Sequence, residues 1–392
     1  MKYELGTYSV HDKKYTSLVS AVLEAQKTLS DIEWDFFSDD FKKVNWLIEP
    51  ESTLDELYRL RAQQIRNTYD YVIVMVSGGA DSTNVVKTFL NNRIRVDEVI
   101  ATAPISGLDN WNWDDKNTMV HNSISETTFA QIPLLQEISS MHPTVKISLV
   151  DSFKQLLDTS TDKWIYEESI NWVHPFTNAR AKLDSLKHLV DLAEQGKTIG
   201  IVYGADKPLL RYDPRGNLYS MISNMTFDYL NNPFNTDYDN VDRVLFYHAK
   251  DLPEVLVKMS HCTAKFIHKK ENLYLTNKLG LNVPMWDFEK EFGKKIEFDV
   301  DFQREISHVL YPTTYKKVFQ CKKFSVAESF SVPQHGWFDI LHKDTRIYQM
   351  YKSDAGLFYK GINPKYLTED KRSFKRFNQF YKLGHYTEFL SQ

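Results

Sequence analysis

The chain has 392 residues, 42% of them hydrophobic and 14% aromatic, with 48 Lys and Arg against 52 Asp and Glu and a formal net charge of −4. That length implies two or three domains with a sizeable core, and the charge balance excludes a polyanion binder that uses its whole surface. The two cysteines, Cys262 and Cys321, exclude a disulfide framework, and no apolar run reaches the roughly 18 residues of a membrane span.

A reducing, cytoplasmic compartment is therefore expected, with no membrane partner. The opening MKYELGTYSVHDKKY has no apolar core, so no signal peptide is expected. Residues 1–69 read as an N-terminal helical extension. Ser17 to Leu29 forms one amphipathic pattern and Leu54 to Ile65 another, the second carrying Arg59, Arg61 and Arg66 towards the first strand. Trp34, Phe36, Phe37, Phe41 and Trp46 lie between the two. A packed aromatic cluster is the simpler reading of these rings, and a lid over a ligand the sharper one.

Tyr71–Val76 is an unbroken apolar run, as a strand buried on both faces of a parallel sheet would be. Ser77-Gly78-Gly79-Ala80-Asp81-Ser82 follows, then a helical pattern with Val85, Val86, Phe89 and Leu90 on one face. A strand, paired glycines and a helix start together make an anion site. The glycines let backbone N–H groups come close to an anion, and the helix start adds partial positive charge. The Gly-Lys-Ser/Thr ending of a Walker loop is absent.

Alternation continues downstream. Val96–Ala103 reads as a strand, Ser125–Met141 as a helix and Val145–Asp151 as a strand. Asn178–Gln195 reads as a helix closed by Gly196, and Thr198–Tyr203 as the last strand. Such alternation predicts a parallel sheet with helices on both faces, whose ligands bind beyond the carboxyl ends of the strands. Thr102-Ala103-Pro104-Ile105-Ser106-Gly107 stands at one such end. Gly204-Ala205-Asp206-Lys207-Pro208, followed by Leu209-Leu210-Arg211, stands at another. Arg180 and Lys182, at the start of their helix, read as a solvated face or as an anion contact.

The S-G-G-x-D-S run resembles the PP-loop of the N-type ATP pyrophosphatases. That superfamily includes asparagine synthetase, GMP synthetase, NAD synthetase and the tRNA lysidine and thiolation enzymes. The resemblance covers roughly residues 70–210 and is specific to the superfamily rather than to one activity. The wider pattern also looks like a group of uncharacterised phage PP-loop proteins labelled asparagine-synthetase-like, which would place the chain in a host cytoplasm. The resemblance implies an α/β fold of the adenine-nucleotide α-hydrolase (HUP) type, with ATP and Mg²⁺ bound by residues 70–258.

On that resemblance, Gly78 and Gly79 N–H groups and the Ser77 and Ser82 hydroxyls would cradle phosphates, with Ala80 in the same loop. Backbone groups of Ala101, Thr102 and Ala103 would lie beside adenine and ribose, and Gly204 would open the second loop. Asp81 and Asp206 supply the carboxylates that Mg²⁺ prefers, while Lys207 and Arg211 would hold the departing pyrophosphate. Position 2 is Lys, so the resemblance does not extend to the N-terminal cysteine glutaminase of asparagine synthetase. Nitrogen is then expected from ammonia, an amine or another chain. The expected activity is adenylation of a carboxylate or carbonyl oxygen of a small molecule. Two alternatives stay open, a tRNA or DNA base modifier and a nucleotide-binding protein without turnover.

Residues 259–392 read as an accessory α+β region that determines the substrate. His261, Cys262 and His268 lack the spacing of a zinc site and read as helix residues. Leu341–Lys382 holds ten Lys or Arg against four Asp or Glu. Its interleaved rings include Tyr348, Tyr351, Phe358, Tyr359, Phe374, Phe377 and Phe380. A nucleic-acid surface and a solvated face over an aromatic core both fit that pattern.

Overall fold

The computed structural model of the chain describes residues 5–103, 127–151, 186–204, 207–213, 215–227, 238–269, 306–313, 360–367 and 374–390. Its first residues correct an expectation, because the N-terminal extension is not wholly helical. Strands β1 (Thr7–Val10), β2 (Lys13–Tyr15) and β3 (Glu33–Asp35) form an antiparallel sheet in the order β2-β1-β3. Tyr8 and Val10 point to the same side and are buried, as the two-residue period of a strand requires. These strands are too short for that period to stand out in the sequence.

The two expected helices are present. Helix α1 (Leu18–Thr28) is capped by the Ser17 hydroxyl, which accepts the Ser20 N–H. After the short α2 (Ser38–Phe41), helix α3 (Leu54–Thr68) starts in a capping box made by Thr53 and Glu56. The aromatic residues between them pack together. Phe36 stacks on Trp34 at 5.9 Å, on Phe41 at 5.7 Å and on Phe227 at 4.6 Å between ring centroids. Phe227 comes from the middle of the chain, so the cluster ties the N-terminal sheet to the rest of the fold.

The apolar run becomes β4 (Tyr71–Val76), and the strands β5 (Glu98–Ala103), β6 (Lys146–Asp151) and β7 (Ile199–Tyr203) follow. A hairpin of β8 (Leu209–Tyr212) and β9 (Asn217–Ser223) intervenes before β10 (Val241–Leu245). The central sheet is all parallel, in the order β10-β7-β4-β5-β6. Ile199–Tyr203 is therefore not the last parallel strand. Asp242 and Arg243, both half-buried, interrupt the apolar run of β10, which is outermost in the sheet among the described strands.

Helices α4 (Ala80–Asn91), α5 (Ile132–Met141) and α6 (Lys187–Glu194) link the first four of these strands. A π-helical turn, Thr127–Gln131, leads into α5 where one continuous helix from Ser125 was expected. Of the helix expected over Asn178–Gln195, residues 178–185, with Arg180 and Lys182, lie outside the described residues. Gly196 closes it with φ of 79°.

Helices cover both faces of the sheet. Consecutive residues at the start of β5 point opposite ways: the Asp97 carboxylate meets Arg66 of α3, and the Glu98 carboxylate meets His188 of α6 at 2.8 Å. Taking the parallel strands in chain order, the sheet reads 3-2-1-4-5, a doubly wound, Rossmann-like order. Its switch point falls between β4 and β7, the strands that carry the two glycine-containing loops.

Helix α7 (Glu254–His268) runs across the expected boundary between residues 70–258 and 259–392, and holds His261, Cys262 and His268 as core-facing or half-buried helix residues. Strand β11 (Asn378–His385) pairs antiparallel with β9, so the C-terminal residues complete the sheet β11-β9-β8. The short α8 (Thr387–Leu390) follows. Among the described residues no helix is long and apolar enough to cross a membrane.

Candidate functional site

At the end of β4 the chain turns sharply. Gly78 has φ of 74°, and a Cβ placed there would come within 2.8 Å of Ala130 and of the Gln131 backbone nitrogen. Only glycine lets the loop lie against the π-turn in this way. Gly79 is the N-cap of α4, in an extended conformation and with no side-chain cap. The N–H groups of the first helical turn have no acceptor within the helix, and here no capping side chain covers them. Ser77 and Ser82 close the loop on itself: the Ser77 N–H donates to Ser82 Oγ at 3.1 Å, and the Gly79 N–H to Ser77 Oγ at 3.2 Å.

The neighbouring strand ends frame this loop. Val76 is level with Ala101, so Thr102 and Ala103 of β5 continue past the end of β4. All three residues pair with β6, through Leu149, Val150 and Asp151. The Thr102 carbonyl accepts the Gln131 Nε2 hydrogen bond at 3.1 Å. That bond fixes the orientation of the Gln131 amide and leaves its Oε1 as a buried acceptor with no hydrogen-bond partner. On the other side, Gly204 at the end of β7 backs directly onto α4. A Cβ on Gly204 would come within 2.9 Å of the Asp81 carbonyl group.

Asp81 and Lys207, far apart in sequence, meet here: Lys207 Nζ is 3.2 Å from Asp81 Oδ1. Both side chains keep partial access to solvent, 22% for Lys207 and 27% for Asp81. Arg211 lies on β8, where its Nη1 donates to the Leu210 carbonyl at 3.0 Å. Ala205 and Asp206 lie outside the described residues.

Several residues that the sequence did not single out support this group. The Tyr247 hydroxyl donates to the Asp81 carbonyl at 2.8 Å and accepts from Asn84 Nδ2 at 3.1 Å. Thr313 Oγ1 donates to Asn84 Oδ1 at 2.6 Å. Burial pushes the phenols of Tyr247 and Tyr58 well above their ordinary range, so both remain neutral donors. Tyr311 stacks obliquely on Tyr247 at 5.3 Å and lies under Lys207 Nζ, 5.3 Å from the ring centroid.

Tyr247 lies just past Phe246 beyond the end of β10, at the carboxyl edge where ligands of such sheets bind, and the broken pattern of β10 hides it in the sequence. Gln131 left a fainter signal, a lone amide before the apolar run Ile132-Pro133-Leu134-Leu135. Tyr311 and Thr313 left none.

The arrangement offers uncapped N–H groups, one carboxylate and one ammonium around a glycine turn. It can receive a polyanion such as an oligophosphate together with a hard divalent cation. Neither models of known protein families nor curated proteins match the chain.

Proposed function

We propose that the chain is an ATP-dependent adenylating enzyme of the PP-loop type, with its parallel sheet used in the manner of the HUP fold. The observation that carries this reading is the complete Ser77–Ser82 loop at the topological switch point, with Lys207 brought onto Asp81 at 3.2 Å. Gly79, whose missing Cβ would meet only Ser77 Oγ, would leave room for phosphate oxygens, Gly78 lets the loop turn against Ala130, and the start of α4 supplies N–H donors. Adenine and ribose would then lie beside the loop, at the strand end Ala101–Ala103. The orphaned Gln131 Oε1 would suit an exocyclic amine, which can donate to it.

Mg²⁺ fits this site in one respect that can be named. Asp81 is a partly accessible carboxylate beside the phosphate cradle, and Mg²⁺ binds through one or two carboxylates plus substrate phosphates. Asp206 is a second donor by sequence. The ion would supply charge neutralisation of the phosphates.

The chain's own residues position the reaction. A substrate oxygen, from a carboxylate or a carbonyl tautomer, forms a bond to the α-phosphorus while the bond to the bridging oxygen breaks. Lys207 and the N–H groups of α4 hold the pyrophosphate that carries away the electron pair. An amine or ammonia then attacks the adenylated carbon, and AMP leaves. Nothing in this scheme needs a covalent intermediate on the protein; positioning and charge carry it.

The small-molecule reading stands ahead of nucleic-acid modification on one observation. Of the described rings interleaved with the basic stretch, Phe374 is buried and Phe377 packs edge-on against Tyr8 at 6.0 Å, while Phe380 is exposed. Phe374 and Phe377 serve the core rather than a stacking surface. Tyr348, Tyr351, Phe358 and Tyr359 lie outside the described residues. An ATP–pyrophosphate exchange screen across carboxylates, nucleobases and RNA tests the proposal. The expected products with an activating substrate are AMP and pyrophosphate. ADP and phosphate as the only products would refute it, and nucleotide binding without exchange would favour a non-catalytic protein.

A further inference from the structure

Residues 306–313 are far beyond both glycine loops in sequence, yet they pack against the start of α4. Leu310 accepts the Tyr58 hydroxyl hydrogen bond at 2.8 Å through its carbonyl, and Thr313 bonds Asn84. Between them Tyr311 is fully buried, with its ring against that of Tyr247, whose hydroxyl holds the Asp81 carbonyl. The ring is thus tied to the same helical turn that carries the site carboxylate. Its face receives the Lys207 ammonium, which also meets Asp81.

We propose that Tyr311 is a positioning residue that holds the Lys207 ammonium over the phosphate site, so that segment 306–313 forms one wall of that site. The proposal rests on the oligophosphate reading of Ser77–Ser82. Its physical basis is a competition. Asp81 is the carboxylate that a divalent cation would take, and the Lys207 ammonium would then lose that anchor on its flexible stem. The face of an aromatic ring attracts a cation without competing for the metal. An ammonium seated on a ring that cannot rotate away remains near the α4 N-terminus after Asp81 has changed partner. The ring, not the hydroxyl, does this work, so Phe should replace Tyr and an aliphatic side chain should not.

Two measurements test it. The first is the proton NMR position of the Lys207 ε-methylene in the unliganded protein. It is expected upfield of its ordinary value in wild type and in Tyr311→Phe, and at its ordinary value in Tyr311→Leu. The second is calorimetric titration with inorganic pyrophosphate and Mg²⁺. Tyr311→Leu should weaken binding roughly fivefold to tenfold, the range of a partly desolvated cation–π contact, while Tyr311→Phe stays within about twofold of wild type. In a Lys207→Ala background, Tyr311→Leu should have no further effect, because the ring acts only through the ammonium. An unshifted methylene in wild type overturns the proposal without any variant having to fold. Equal weakening with and without Lys207 also overturns it. A shifted methylene in a wild type that binds no pyrophosphate would instead leave the positioning intact and refute the oligophosphate reading.

Discussion

Lys207 and Asp81 face each other at 3.2 Å across the switch point of the sheet, one beyond the end of β7 and the other in the first turn of α4. An acid at a helix start is favoured by the helix dipole. A lysine beside it leaves a carboxylate and an ammonium poised around the same uncapped N–H groups. The two loops carrying them are adjacent only because β7 pairs with β4.

Lys207→Ala is expected to slow pyrophosphate formation on the order of a hundredfold, the usual effect of losing one electrostatic contact to a developing charge. The melting temperature should change little, since a partly exposed ion pair contributes at most about 1 kcal/mol. Wild-type turnover in the variant would reduce the pair to a surface contact.

The two loop glycines should respond differently to alanine. Gly78→Ala meets both a positive φ and a 2.8 Å collision with the Ala130–Gln131 backbone, and is expected to destabilise the fold by about 3 kcal/mol. Gly79 has an ordinary φ of −70° and its nearest neighbour is Ser77 Oγ at 3.1 Å. Gly79→Ala should therefore stay within about 1 kcal/mol of wild type in denaturant unfolding while weakening nucleotide binding. Equal stability losses in the two variants would contradict this account of the loop.

Stability should fall on mild acidification. Burial lowers the folded-state pKa of His261, which contacts the Trp46 carbonyl, and of His268, which contacts Tyr212 and the Ala264 carbonyl. Between the lowered folded values and the ordinary value of about 6.5 the unfolded chain binds more protons than the folded one, so the contribution is complete above about pH 6.5 and is lost as pH falls from there through the folded values. Thermal melts from pH 7.5 to 5.5 should show the decline, and His268→Gln should flatten it. A decline unchanged in His268→Gln and His261→Gln would assign it to other groups.

Changing Lys371, Arg372, Lys375 and Arg376 together to Gln is expected to leave ATP binding intact. Wild type is expected to show no micromolar RNA or DNA binding at physiological salt, because the chain as a whole is acidic. Lys375 and Arg376 are exposed beside the buried Phe374, as a solvated face requires. Salt-sensitive binding that the quadruple variant loses would make base modification the leading reading.

Much of this was legible in the sequence where a pattern is long and local. β4 and α4 follow from six apolar residues, two glycines and a helical stripe. The order in which the strands pair is not local, and neither is Lys207 meeting Asp81. β10 is not legible because Asp242 and Arg243 break its apolar run, and Tyr247 is hidden with it. The N-terminal strands were too short to show a period. Tyr311 and Thr313 reach the site by tertiary packing alone, which no spacing in the chain encodes.

The central claim is that Ser77–Ser82 binds the phosphates of ATP. It is tested most directly by calorimetric titration of the non-cleavable α,β-methylene analogue of ATP, with Mg²⁺, into wild type and Gly79→Val. Binding by wild type and its loss in the variant, with an unchanged circular dichroism spectrum, is the predicted result. Equal affinity in the two proteins, or no binding by wild type, would contradict it.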